Sequence, residues 1–272
     1  MKLDPTLTES IEFLNTFFQT KKIHYVLVGA MVPLILIELK DNEGMGFGMR
    51  ETKDLDYIIK VEDWQKYKKI KKELIQHGFS QKKTEPEHRF FFNDIPVDLI
   101  PYGKNILDHN QLIWPQTGKV MNMQGIKSLF KYARKVKISE NLIINMIPLP
   151  LSIYNKILTY LDRKFPRDLE DIMYMLIHYE EIQFSERRYQ KDVPIRINYE
   201  LRGAYLIGSD LRILISEHEI TKIEPFFDLF HDPYDAFLEK VAQRQLSDHS
   251  DKEGNNIIDL IKTFKQGLGI HS

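Results

Sequence analysis

Residues 54–60 read DLDYIIK, in which two aspartates begin a run that is rich in aromatic and β-branched residues. Such a run predicts a β-strand. Side chains two positions apart in a strand point to the same face, so Asp54 and Asp56 would lie side by side. Like charges repel, and one face of a strand is usually buried. The pair therefore indicates either a wet sheet face or a cation between the two carboxylates.

Helices and strands alternate around this strand in the first half of the chain. Periodicity and capping signals predict helices over 6–20, 31–40 and 62–77, the first opened by a capping box of Thr6 and Glu9. Apolar and aromatic runs predict further strands over 23–28, 79–83, 88–94, 95–101, 133–139 and 141–147. Asn93-Asp94 is expected to form the tight turn between the strands at 88–94 and 95–101.

Beyond Pro148 the pattern changes to helical periodicity alone. It recurs at 151–163, 167–179, 199–215, 233–245 and 256–264. The expected fold class is therefore α/β (α+β), with a mixed sheet and helices over residues 1–148. An all-helical domain is expected over residues 149–272.

Composition excludes several classes of function. The 272 residues contain no cysteine, which removes disulfides, thiolate zinc sites and cysteine nucleophiles and fits a reducing compartment. The longest apolar run, residues 25–37, is shorter than the roughly 20 residues that a membrane span needs. The N-terminus has no apolar signal-like core. We expect a cytoplasmic protein without a membrane partner.

Local basic runs are the remaining candidates for binding a polyanion. The net charge is −1, from 38 basic and 39 acidic residues, so the field of the whole chain does not attract nucleic acid. Basic residues cluster at 66–72, 131–137 and 186–191. The first run lies on a predicted amphipathic helix, and its lysines could equally form an ordinary solvated face.

Two glycine signals differ in strength. Gly29-Ala30 separates a predicted strand from a predicted helix, where unpaired backbone N–H groups and the helix dipole favour phosphate. The alternative is a glycine required only for close packing. The loop GMGFG, residues 44–48, lacks the Gly-Lys-Ser/Thr ending of a P-loop and is interpreted as a flexible loop.

A third aspartate, Asp98, lies within the apolar strand at 95–101. A buried carboxylate is costly unless it is paired or binds metal. If this strand neighbours the strand at 54–60, three carboxylates converge on one face, a donor set that suits Mg²⁺. The alternative for Asp98 is a strand-edge carboxylate paired with a lysine.

Together these segments resemble a known superfamily. Gly29-Ala30 after a strand, Arg50-x-Thr52-x-Asp54-Leu55-Asp56 and Val97-Asp98-Leu99 are similar to the nucleotidyltransferases that include DNA polymerase β. Lys156 and the segment LDRKFPRDLEDIMYML, residues 161–176, resemble the Lys…Arg…Lys/Arg-Asp-x-x-Asp signature of AbiEii-type nucleotidyltransferases. Those proteins are the toxins of bacterial type IV toxin–antitoxin systems. The matched segments lie within residues 23–176.

The resemblance implies a role for each matched residue. The catalytic and metal-binding residues would be Asp54, Asp56 and Asp98, holding Mg²⁺ or Mn²⁺. The nucleotide-binding residues would be Gly29, Ala30, Arg50, Thr52, Lys156, Asp168 and Asp171, and the helical domain would contribute to the cleft. Asp168 and Asp171 also suit a helix start without any catalytic role.

Two features depart from the family pattern. Ala30 stands where many members have serine or glycine, so a side-chain hydroxyl is missing while the backbone N–H remains. The stretch 42–50 is an insertion beside the expected site and would act as a lid or as an acceptor-recognition loop.

The implied activity is transfer of a nucleoside monophosphate from an NTP to an acceptor hydroxyl. The resemblance suggests RNA, tRNA included, as the acceptor and a cognate antitoxin as a partner. The alternatives are an acceptor that is a small molecule such as an aminoglycoside, a protein acceptor, or a nucleotide-binding module without turnover.

Overall fold

The computed structural model describes residues 4–40, 52–183, 193–230 and 253–270. Arg50, the 42–50 insertion, the basic run at 186–191 and the predicted helix at 233–245 lie outside the described residues. The chain divides into two compact units, Met1–Pro148 and Leu149–Ser272. Within the described parts, the helices are too short or too polar to cross a lipid bilayer.

The first unit is built on a mixed sheet of six strands. Its first half contains α1 (Pro5–Thr20), β1 (Tyr25–Val28), α2 (Met31–Lys40), β2 (Leu55–Lys60), α3 (Trp64–Gln76), β3 (Arg89–Phe92) and β4 (Ile95–Tyr102). Its second half contains β5 (Leu107–Asp108), β6 (Gln111–Ile113), β7 (Val120–Asn122), α4 (Ile126–Tyr132), β8 (Arg134–Lys137) and β9 (Ile143–Met146). The sheet order is β3-β4-β2-β1-β9-β8, and β5-β6-β7 form a separate small sheet.

The strand β2 lies in the middle of the large sheet. It pairs antiparallel with β1 and parallel with β4, while β3 pairs antiparallel with β4 at the edge. Leu55, Tyr57 and Ile59 on β2 are buried, as are all residues of β1. Ile58 is buried as well, so both strands bury side chains on both faces of the sheet.

Most predicted elements of this unit are confirmed. The predicted turn is present, with φ of 49° at Asn93 and 61° at Asp94, as in the two-residue turns that join twisted strands. The predicted capping box is wrong, because Pro5 begins α1 early and the Asp4 carboxylate accepts the Thr6 N–H at 2.8 Å. The predicted strand at 79–83 is also wrong, since Ser80 alone forms a bridge, to Phe91.

All regular elements in the described residues of the second unit are helical, as predicted. It contains α5 (Leu149–Arg163), α6 (Pro166–Gln183), a 3-10 turn (Tyr199–Leu201), α7 (Arg202–Leu214), α8 (Glu217–Phe227) and α9 (Glu253–Gly267). The helical periodicity did not predict α8, although a capping box of Ser216 and Glu219 marks its start. The short elements β5, β6, β7 and α4 were not predicted either, because they are too short to show a period.

Two glycines let α7 and α9 approach each other closely. A Cβ on Gly208 would lie 2.4 Å from the carbonyl oxygen of Phe264, and one on Gly267 would lie 2.2 Å from that of Tyr205. Neither approach leaves room for a methyl group. The backbones of the two helices are therefore in contact at this crossing.

Gly208→Ala is expected to lower the free energy of unfolding by about 1–3 kcal/mol, because the added methyl group overpacks the contact. Without that contact, alanine would stabilise the helix by about 1 kcal/mol relative to glycine. Urea unfolding followed by circular dichroism measures the difference. The control is Ile213→Ala on the same helix, where the side chain is 76% exposed. A stabilised Gly208→Ala variant would contradict the described crossing.

Candidate functional site

Two of the three predicted site aspartates are neighbours across the sheet. Asp56 on β2 is the register partner of Asp98 on β4, so both side chains point to the same sheet face. Asp54 lies immediately before β2, and its side chain is 49% exposed. Asp98 is buried, at 8% exposure. The fold thus places Asp56 beside Asp98, while the convergence of all three carboxylates on one metal ion stays a prediction.

The backbone of Gly29 lies against the carboxylate of Asp56. It follows β1 with a φ of 79°, and a Cβ at this position would lie 2.0 Å from Oδ2 of Asp56. Glycine is therefore required here both by the backbone conformation and by the close approach of a carboxylate. Ala30 is buried directly before α2, whose first turn presents backbone N–H groups. Phosphate binding at this turn stays a prediction.

The carboxylate of Asp98 is paired with Arg89, which no sequence motif identified. Arg89 on β3 donates from Nε to Oδ1 and from Nη2 to Oδ2 of Asp98, both at 2.8 Å. Its Nη2 also lies 3.9 Å from Oδ2 of Asp54. Hydrogen bonding to Asp98 raises the pKa of Arg89 despite partial burial, and the charges of Asp98, Asp54 and Asp56 add to the effect. A cation therefore does lie among the carboxylates.

His88 approaches the same carboxylate from the chain position before Arg89. Its Nε2 lies 3.7 Å from Oδ2 of Asp98, and its ring packs against Trp114 with centroids 5.0 Å apart. Burial lowers the pKa of His88, although the charge of Asp98 opposes the shift. The imidazole is therefore mainly neutral at pH 7, and Arg89 supplies the positive charge.

The donor chemistry of Asp54, Asp56 and Asp98 fits a hard divalent cation, because carboxylate oxygens are the ligands that Mg²⁺ prefers. Arg89 engages both oxygens of Asp98 in this arrangement. Within residues 4–40, 52–183, 193–230 and 253–270, no three His, Asp or Glu side chains are arranged to hold a metal ion. Thr52 is half-buried two residues before Asp54.

The predicted residues of the second unit take part in a charge network between α5 and α6. Lys156 on α5 lies 3.2 Å from Oδ1 of Asp168 and 2.7 Å from Oδ2 of Asp171, both on α6. Arg163 donates to the two oxygens of Asp168 at 2.7 and 2.8 Å. The Asp168 side chain is 1% exposed, so this pairing is needed to offset desolvation.

The environment of Asp168 favours its ionised form. Burial opposes ionisation, but the hydrogen bonds from Arg163 and the charges of Lys156 and Arg163 outweigh it and lower the pKa of Asp168. Asp168 is thus not a solvent-facing acid at a helix start. The network joins α5 to α6, and a nucleotide-binding role for Lys156, Asp168 and Asp171 stays a prediction.

The lysine-rich helix α3 presents a solvated basic face. Tyr67, Ile70 and Leu74 are buried, and Tyr67 donates its hydroxyl to the carbonyl of Leu99 at 2.8 Å. Lys71 is not on the outer face, because its Nζ donates to the carbonyl of Glu87 at 2.9 Å. The exposed lysines of this run are Lys66, Lys68, Lys69 and Lys72. The second predicted basic run, residues 131–137, ends in β8, at the sheet edge opposite to β3. Its exposed basic residues are Lys131, Arg134, Lys135 and Lys137.

Comparison with known proteins gives similarities in structure. No protein-family model matches the sequence, and no curated protein is significantly similar to it. An antigenic nucleotidyltransferase-like protein from Paracoccidioides brasiliensis is 16% identical with a TM-score of 0.40, covering 63% of this chain and 75% of its own. JHP933 from Helicobacter pylori is 15% identical with a TM-score of 0.35, covering 90% and 85%.

A tRNA nucleotidyltransferase, complexed with a primer tRNA and an incoming ATP analogue, is 14% identical with a TM-score of 0.23, covering 95% of this chain and 80% of its own. With TM-scores of 0.40 or less, none of these similarities identifies an activity for this chain.

The charge network predicts a pH-dependent contribution to stability. Since the pKa of Asp168 is lower in the fold than its ordinary value of 3.8, ionised Asp168 stabilises the fold above that pH. The contribution is lost as the pH falls through the lowered folded value. Asp168→Asn should lower the free energy of unfolding at pH 7 by about 3 kcal/mol, because Arg163 and Lys156 both lose their ion pair with Asp168, while Lys156 keeps its pair with Asp171.

Urea unfolding at several pH values between 7 and the acid limit of folding tests this expectation. As the pH falls below 3.8 and through the lowered pKa of Asp168, wild type should lose stability more steeply than Asp168→Asn. The matched control is Asp162→Asn, an exposed position on α5. Equal stability of the Asp168 and Asp162 variants at pH 7 would contradict the network.

Proposed function

We propose that this chain is a divalent-metal-dependent nucleotidyltransferase, which transfers a nucleoside monophosphate from an NTP to an acceptor hydroxyl. The observation that most supports the proposal is the pairing of Asp56 with Asp98 on neighbouring strands. Asp54 lies two residues before Asp56, and the backbone of Gly29 lies against the Asp56 side chain. A sheet that places like charges together in this way suits a site for a cation and a polyanion.

The proposed reaction forms one bond and breaks one bond at the α-phosphorus. The acceptor oxygen bonds to this phosphorus, the bond from phosphorus to the α,β-bridging oxygen breaks, and pyrophosphate leaves. Bound Mg²⁺ or Mn²⁺ would supply charge neutralisation for the triphosphate. Asp54 and Asp56 would hold the ion, and Asp98 would complete its ligand set or accept the proton of the acceptor hydroxyl. Backbone N–H groups at the start of α2 would donate to phosphate oxygens.

For the acceptor we propose RNA, tRNA included. In a chain with a net charge of −1, the exposed lysines of α3 supply local positive charge for a phosphate backbone. The sequence resemblance to AbiEii-type proteins supports a toxin whose activity arrests growth and whose partner is a cognate antitoxin. Expression with and without the neighbouring gene would test that role, with growth arrest relieved by the antitoxin as the expected result.

A nucleotide-binding module without turnover is the second candidate. The observation that favours it is the engagement of both oxygens of Asp98 by Arg89, which leaves this carboxylate neutralised without a metal. The two candidates differ in whether label from an NTP reaches any acceptor.

Asp56→Asn is expected to reduce turnover by about a hundredfold or more, because losing one ligand misplaces the reacting groups. Purified protein is incubated with labelled NTPs, Mg²⁺ or Mn²⁺ and total RNA, and transfer of label is measured. The matched control is Asp94→Asn, an exposed turn position that should keep wild-type turnover. Equal turnover of Asp56→Asn and wild type would show that the catalytic site lies elsewhere. NTP binding without label transfer by wild type would favour the second candidate.

Replacing Lys68, Lys69 and Lys72 together with glutamate should weaken RNA association while leaving NTP binding intact. For wild type, the logarithm of the association constant should fall with the logarithm of salt concentration by about 0.7 per phosphate contact. The triple variant should show a shallower slope, measured by fluorescence anisotropy with labelled tRNA. If label appears only on an aminoglycoside and the lysine replacements have no effect, the acceptor is a small molecule and the proposal of RNA is contradicted.

A further inference from the structure

The positive charge among the predicted site carboxylates belongs to the protein itself. The Arg89 guanidinium makes two hydrogen bonds of 2.8 Å to Asp98 and lies 3.9 Å from Asp54. The charge of Asp56 acts on the same group. Arg89 therefore already occupies the position that a metal ion would need in order to contact Asp98.

The hairpin of β3 and β4 creates this contact. Its two-residue turn at Asn93-Asp94 makes Arg89 the register partner of Asp98. Because β3 is the edge strand of the sheet, the Arg89 side chain keeps 28% of its surface exposed, against 11% for that of Asp98. The carboxylate is fixed in the sheet, whereas the arginine has solvent to move into.

Burial explains why the arginine is needed when no ion is bound. A carboxylate as buried as Asp98 requires a partner, and removing a partner from a buried pair is strongly destabilising. A planar guanidinium that bonds both oxygens satisfies this requirement well. It also uses the oxygens that a divalent cation would need, and a cation close to a guanidinium is repelled.

We propose that Arg89 is an internal counter-ion that a divalent cation must displace from Asp98 before this carboxylate can complete the ligand set of the metal. The inference rests on the proposed metal-dependent function and concerns the regulation of that site. Arg89 is thus a positioning residue that acts through Asp98. It stabilises the metal-free fold and weakens the affinity for metal.

The experiment compares Mn²⁺ binding by wild type, Arg89→Gln and Arg89→Lys, using the EPR signal of free Mn²⁺ at fixed ionic strength. Arg89→Gln should bind Mn²⁺ about tenfold more tightly than wild type, because the hydrogen bonds between Arg89 and Asp98 no longer have to break. A tenfold change in affinity corresponds roughly to the net contribution of one hydrogen bond to a charged group. Arg89→Lys should fall between the two, since lysine keeps the charge but loses the bidentate fork.

Thermal unfolding gives a second readout that does not depend on activity. Without metal, Arg89→Gln should melt below wild type, and saturating Mn²⁺ should raise its melting temperature by more than it raises that of wild type. Should Arg89→Gln fail to fold without metal, the comparison is made with Arg89→Lys, for which tighter binding than wild type supports the inference. A purely structural role for Arg89 predicts weaker metal binding in both variants.

The control for a general change in charge is Arg134→Gln, at an exposed position on the opposite edge strand. It should bind Mn²⁺ as wild type does. If Asp56→Asn abolishes Mn²⁺ binding and the Arg89 variants bind no more tightly than wild type, the inference is overturned and the proposed function stands. If neither wild type nor any variant binds Mn²⁺ in an Asp56-dependent manner, both fall.

Discussion

A carboxylate buried in a sheet must have a positive partner, and the candidate site depends on this constraint. Asp98 lies in β4 beside Asp56 of β2, so the central strands bring two negative charges together. The fold meets the cost with Arg89 from the edge strand and with the left-handed backbone of Gly29, which leaves room for the Asp56 side chain. The strand order, the two-residue turn and the position of Gly29 together allow the charges of these carboxylates to be compensated locally.

The helical unit solves a similar problem in a different way. Asp168 is paired with Arg163 and Lys156, and Lys156 also reaches Asp171. The Asp168 side chain is 1% exposed and that of Asp171 is 7% exposed. In these described contacts between α5 and α6, each carboxylate is paired with at least one cation. The described contacts explain these four signature residues through the stability of a helix pair.

The two clusters therefore differ in what their geometry supports. In the first unit the arginine comes from an edge strand and is partly exposed, so exchange of one cation for another is physically accessible. In the second unit the carboxylates are enclosed and share Lys156, whose side chain is 12% exposed, whereas that of Arg163 is 47% exposed. The proposed chemistry is placed on Asp54, Asp56 and Asp98 because Asp56 and Asp98 lie side by side on neighbouring strands.

The sequence by itself determined the local elements. Periodicity and the Asn93-Asp94 turn are signals carried within a few residues, and the helices and strands that they predicted are largely present. The pairing of Arg89 with Asp98 was not predicted, although the same turn is a signal that could have identified it, because a two-residue loop fixes the register of a hairpin. Only the tertiary structure decided that β4 lies parallel to β2, with Asp98 beside Asp56, because distant strands carry no local signal of their pairing. It also decided that Lys71 is held by the Glu87 carbonyl and that Asp168 is enclosed, since burial depends on neighbours that are remote in the chain.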